Sequence, residues 1–241
     1  MRAEARRRLK TDQFSRATIQ AAEQTVHWTV EHRGKLIVAA IVVAVVASVV
    51  IGGLYYLRQQ DEKASVDFGK AVQTMDTSIR PAGTPPQPDY PSFASAKGRA
   101  AEAHKQFQAI ANQYPHTHAA DFAHYFLGVT SADLGDNVAA ERELKEVAGY
   151  HDADLSSLAK LALASLYLNS NRTKDALEIY KELIAKPTRT VGKTAAEIQL
   201  AQAYQSAGMS AEAKKEYERI QKESPQSNAA QLASAKLQEL K

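Results

Sequence analysis

Residues 157–190 read SLAKLALASLYLNSNRTKDALEIYKELIAKPTRT, and the placement of small and bulky residues in them predicts two helices folded back on each other. Leu163 and Ala164 are followed by Tyr167. Twelve residues after Ala164 comes Ala176, then Tyr180 and Leu183 at steps of four and three, and then Pro187. Small residues at Ala164 and Ala176 are where two helix backbones can approach, while bulky residues at helical spacing fill the space on either side. Between them Ser170-Asn171-Arg172 predicts the turn, with Asn171 able to take the left-handed conformation that ends a helix.

The same columns recur on both sides of this stretch. Ala140, Ala176 and Ala213 are 36 and 37 residues apart, and each follows a small residue by twelve: Gly128, Ala164 and Ala201. Each of those small residues follows a leucine, namely Leu127, Leu163 and Leu200. Bulky residues after each alanine are Leu144 with Val147, Tyr180 with Leu183, and Tyr217 with Ile220. Further turns are predicted at Leu134-Gly135-Asp136 and Ala207-Gly208-Met209, and Pro225 closes the third unit. Thirty-seven residues before Ala140, Ala103 with Phe107, Ile110 and Pro115 makes the second half of one more unit. One helix pair cannot bury its apolar face alone, so pairs with this periodicity stack into an all-α array.

The spacing resembles the tetratricopeptide repeat, whose pattern W-x2-L-G-x2-Y…A-x3-F…P reads here as Lys160-x2-Leu163-Ala164-x2-Tyr167…Ala176-x3-Tyr180…Pro187. The resemblance implies an α-solenoid of about 3.5 helix pairs over 96–241, with repeats near 121–154, 157–190 and 194–227 and a capping helix at 228–241. Departures stand at His124, Lys160 and Glu197, where the family favours tryptophan, at Ser131 in a tyrosine column, and at Asp152 in place of proline. The half repeat lacks its first helix. Residues 61–79, with Ala64, Phe68, Ala71, Met75 and Ile79 on one face, are expected to supply it from across the proline-rich loop 81–95.

Further toward the N-terminus lies an uncharged run at 36–57, LIVAAIVVAVVASVVIGGLYYL, which at ~1.5 Å per residue is long enough to cross a bilayer. It starts late, exceeds the apolar core of a signal peptide, and lacks a small-residue cleavage site, so it reads as a retained anchor. Residues 1–35 carry eight basic against four acidic side chains, while the rest carries 22 against 23. That bias places the tail in the cytoplasm and everything beyond the span outside, with 58–80 as a membrane-proximal helix. Trp28 before the run and Tyr55 with Tyr56 at its end suit the two interfaces. Residues 11–33 read as a weakly amphipathic juxtamembrane helix, and Arg6-Arg7-Arg8 as a topology signal rather than a nucleic-acid contact. Within the span Ala40, Ala44, Ser48 and Gly52 form a small face that would let another membrane helix approach.

Catalytic and metal chemistry has little to work with. The chain has no cysteine, which excludes disulfides, zinc–thiolate sites and cysteine nucleophiles. His116, His118 and His124 with Asp121 lack the i,i+4 spacing of a helical metal site, and no nucleotide or hydrolase motif is present. The expectation is therefore no enzyme, no cofactor, no metal and no small-molecule substrate, but a surface for other proteins. The first helix of the second unit is apolar almost all round, and its spare stripe is Leu158, Leu161, Ser165 and Leu168. By the repeat offsets this becomes Phe122, Tyr125, Val129 and Ala132 in the first unit and Ala195, Ile198, Gln202 and Gln205 in the third. In the resembled repeats this face lines the concave groove. Nothing on it matches the cationic clamp by which some family members hold a terminal carboxylate. Its competing occupants are apolar segments of partner proteins and the chain's own helix 61–79 or last helix.

Tail, span, linker and outer repeat array together resemble the bacterial inner-membrane family of ancillary SecYEG translocon subunits. The resemblance implies translocon subunits, envelope chaperones or exported chains as partners, with lipid around the span. An envelope scaffold for cell division, outer-membrane assembly or a secretion or pilus machine is the alternative.

Overall fold

The structure, a computed structural model, describes residues 33–85, 91–223 and 225–240, so the predicted helix 11–33 lies almost wholly outside the described residues, as do Trp28 and most of the basic tail. The described residues are helical, with nine helices and no strand: α1 Arg33–Asp76, α2 Ala96–Gln113, α3 His118–Leu134, α4 Asn137–Ala148, α5 Ala153–Asn169, α6 Thr173–Ala185, α7 Lys193–Ser206, α8 Ser210–Glu223 and α9 Asn228–Glu239. The chain divides after Arg58 into two compact units.

In the first unit the described part is the apolar stretch of α1. Its large side chains, from Ile37 to Leu57, are all exposed, as a helix without protein neighbours requires. By length and composition α1 can cross a membrane.

The second unit, Gln59–Lys241, holds the repeats. From α2 to α9 each helix packs on the next, so the array runs in series. The local causes can be read from the ends. Thr117, Asp136, Asp152 and Ser227 each accept a backbone N–H of the first turn of α3, α4, α5 and α9, satisfying donors that a helix start leaves open. Asp152, in the column where the family places proline, thus starts a helix by capping it. In the three within-repeat turns Gly135, Asn171 and Gly208 have φ of 88°, 58° and 74°, the left-handed conformation. The small-residue columns sit at the seams: Ala140, Ala164, Ala176, Ala201 and Ala213 have no exposed surface. Gly128 is tighter still, because a Cβ there would lie 2.6 Å from Cγ of Leu144.

Residues 59–76 of α1 contribute Ala64 and Ala71, both fully buried, to a core with Ala103, Phe107, Ile110, Ala123 and Leu127 of α2 and α3. Phe68 lies 5.7 Å from the ring of Phe107, and Thr74 donates to Gln106 across the same contact at 2.9 Å. A second core runs from Ala140 to Ala233. The helix ends at Asp76, short of the boundary expected at 80. Past Asp76 the backbone turns to other partners: Arg80 N–H donates to Phe93 O and Phe93 N–H to Ser78 O, each at 2.9 Å. The described ends of the loop 81–95 are thereby tied together. Pro81 follows residues that have already left the helix, as its disfavour of a preceding α conformation demands.

Candidate protein-interaction face

The predicted groove residues come from the first helices of three repeats. Phe122, Tyr125 and Val129 lie on α3, Leu158, Leu161 and Leu168 on α5, and Ile198 on α7, and all seven are half-buried. Six of them, Val129 being the exception, pack by one side against the same core. Their exposed sides carry no charge. At the α7 end the stripe turns polar with Gln202 and Gln205, and Gln205 already accepts the Tyr217 hydroxyl at 3.1 Å. Burial pushes the Tyr125 hydroxyl above its ordinary range, so its phenol stays protonated and able to donate. Ser165 is exposed in the middle of the stripe and hydrogen-bonds back to Leu161 O at 3.2 Å.

At the α3 end the chain itself makes a contact. Phe68 of α1 stands edge-on to Phe122 at 6.1 Å and close to Phe126 at 5.7 Å. Phe126 also stacks on Phe107 at 4.8 Å, with Tyr125 edge-on to it at 5.1 Å. Phe122 is therefore shared between the stripe and the core of the half repeat, while Tyr125, Leu158, Leu161 and Leu168 extend the apolar row beyond Phe68. The repetition pointed to Phe122 but not to Phe126, which falls outside the columns that recur.

Polar side chains missed by the column reading form ties around this face. His124, Lys160 and Glu197, at the family's tryptophan position, reach the second helix of their own repeat: His124 to Glu143 at 3.0 Å, Lys160 to Glu182 at 2.7 Å and Glu197 to Arg219 at 3.3 Å. Between the first and second repeats, Glu141 on α4 accepts from Lys145 at 2.6 Å, Arg172 at 2.8 Å and the Tyr167 hydroxyl at 3.0 Å. Arg172 lies over the Tyr167 ring, 3.9 Å from its centroid. The Lys145 bond first, then Arg172 and Tyr167, hold the Glu141 carboxyl down at about 2. Asp154 at the start of α5 takes Arg189 Nε at 2.8 Å, which lowers its carboxyl and fixes the loop into α7. Ser157 meets Thr188 at 2.7 Å under that loop.

The remaining predicted positions are dispersed. His116 and His118 are exposed near the start of α3, away from the Glu143 partner of His124, and among the described residues no three acidic or imidazole side chains converge as a metal site. On α1 Ala40, Ala44, Ser48 and Gly52 are exposed along one face, with the Ser48 hydroxyl donating to Ala44 O at 2.8 Å. The serine is thus satisfied within its own helix.

Among the described residues, helices α2 to α9 pack in series on alanine and glycine seams, and the comparison with known families is decisive. The sequence model of the tetratricopeptide repeat-like domain matches residues 27–241. The chain belongs to the tetratricopeptide repeat-like family. The matched stretch takes in the apolar run of α1 as well as the repeats. No curated protein and no solved structure matches the chain. Family membership makes this chain a protein-interaction module.

Proposed function

We propose that the protein is a single-pass accessory of the bacterial envelope, with its tail in the cytoplasm, residues 36–57 in the inner membrane and the repeats on the periplasmic side. In this reading the repeats serve the Sec translocon and the periplasmic chaperone network by holding apolar segments of exported or partner chains. Phe122, Tyr125, Val129, Leu158, Leu161, Leu168 and Ile198 line the groove. The observation that carries the proposal is the uncharged row itself: half-buried large side chains on three successive first helices of an interaction-repeat array. A partner is favoured there by burial of that apolar surface at ~25 cal/mol per Å2, and the absence of charge spares it a desolvation cost. The basic bias of residues 1–35 supports the orientation.

Photocrosslinking from position 125 or 161 of the full chain in membranes tests the groove. Adducts to exported chains or translocon subunits are expected, and purely intramolecular products would overturn it. Pull-down in mild detergent with the anchor intact tests the translocon assignment, which fails if no translocon subunit co-purifies.

A further inference from the structure

On α1, directly past the apolar run, two opposite charges stand without a partner among the described residues. Gln59, Glu62, Lys63 and Val66 recur at helical spacing on one face, and with Asp67 and Tyr114 they line an open cleft of about 400 Å3. Asp67 is committed to Lys70 at 2.9 Å and to the Tyr114 hydroxyl at 3.2 Å. Glu62 and Lys63 make no hydrogen bond or ion pair among the described residues. Val66, 56% exposed, adds an apolar wall beside them.

Free surface charges are ordinary in water, but here the position matters. Gln59 follows the last apolar residue, Leu57, by two positions in the same helix. At ~1.5 Å per residue, residues 59–63 fall about 3–9 Å past it, and the headgroup layer occupies roughly 5–7 Å on each side of the hydrocarbon. That layer contains phosphate and, in zwitterionic lipids, ammonium.

We propose that this cleft seats a phospholipid headgroup that carries both a phosphate and a primary ammonium. Lys63 takes the phosphate, Glu62 takes the ammonium through charge-assisted hydrogen bonds, and the two-carbon link between them lies on Val66. A glycerol headgroup leaves Glu62 without its cation, and a trimethylated ammonium has no N–H to donate. Ethanolamine lipid is therefore preferred over both. The proposal rests on residues 36–57 being embedded in a membrane.

The test uses the full chain reconstituted into phosphatidylcholine vesicles doped equally with phosphatidylethanolamine and phosphatidylglycerol. Lipid retained after detergent extraction is read by native mass spectrometry, and flotation of the same vesicles reports membrane association. Wild type is expected to retain ethanolamine over glycerol lipid by about threefold, the scale of a partly exposed charge pair. Glu62→Gln and Lys63→Gln should each bring that ratio toward one, while Gln73→Ala should leave it unchanged. Protein that floats with the vesicles but shows no preference in wild type, or an unchanged preference in both variants, overturns the headgroup proposal alone. Wild-type protein left in the soluble fraction overturns the membrane reading, and this proposal with it.

Discussion

Glu197 sits where the repeat family favours tryptophan, and it is buried, 3% exposed, with its charge answered by Arg219 at 3.3 Å and Lys193 at 3.5 Å. Removing the guanidinium leaves a carboxylate inside the α7–α8 seam with only the longer contact. Arg219→Met should therefore destabilise by roughly 3 kcal/mol in urea unfolding, whereas Glu197→Leu combined with Arg219→Met should recover most of that loss. Equal losses in the single and double variants would show that the pair is not coupled. Gly128 makes the opposite kind of demand, because the space beside it is already filled by Leu144. Gly128→Ala is expected to lose about 1–3 kcal/mol by overpacking, and exposed Asp133→Ala to be near neutral. The steric requirement was legible in the sequence because it leaves its mark at one position in every repeat. The charge pairs were not. Lys160 with Glu182 and Glu197 with Arg219 share a separation of 22 residues but invert the sign, and His124 with Glu143 uses 19, so no column records them.

At the level of elements, the helix pairs and their turns follow from columns spaced 36 and 37 residues apart, yet what locks one pair to the next does not repeat. The Glu141–Arg172–Tyr167 tie joins α4 to the turn after α5, and the corresponding positions one repeat later, Leu177 or Glu178, Tyr204 and Met209, cannot reproduce it. Its pH dependence has a definite sign. The Glu141 carboxyl titrates at about 2 in the folded chain against an ordinary 4.5, so its contribution is complete above pH 4.5 and is lost as pH falls through about 2. Glu141→Gln should thus lower the urea midpoint at neutral pH, and the gap to wild type should close between those two pH values. A gap that persists at pH 2 would mean that the carboxylate's charge is not what holds the junction. The proline loop illustrates the same limit of legibility. Five prolines announced the absence of regular structure, but the pairing of residues 78–80 with Phe93 depends on backbone contacts that leave no pattern in side chains.

For the molecule as a whole, the consequential element is α1, because one helix carries the apolar run and then packs on the half repeat. Residues 59–76 cover Phe107, Phe126 and Leu127 with Ala64, Phe68, Ala71, Val72 and Met75, so the compact unit that holds the repeats takes them in as well. The sequence indicated this helix by its apolar spacing, but Phe68 meeting Phe122 at 6.1 Å is a contact across the loop that only the folded chain reveals. Two truncations separate the possibilities. A chain of residues 59–241 keeps both cores and should unfold cooperatively without the apolar run. A chain of residues 81–241 loses the covering helix. Uncovering Phe107, Phe126 and Leu127 is comparable to a large-to-small change in the core and puts roughly 3–4 kcal/mol at stake. For a domain of this size that corresponds to a fall of ~10 °C in Tm, with new binding of a hydrophobic dye at the uncovered phenylalanines. If the two truncations melt together and neither binds dye, α1 is a mere tether and the interaction row begins at Phe122. If the shorter chain loses its structure first around α2 and α3, as hydrogen exchange would register, then the helix that enters the array is also the cap that holds its first groove residue in place.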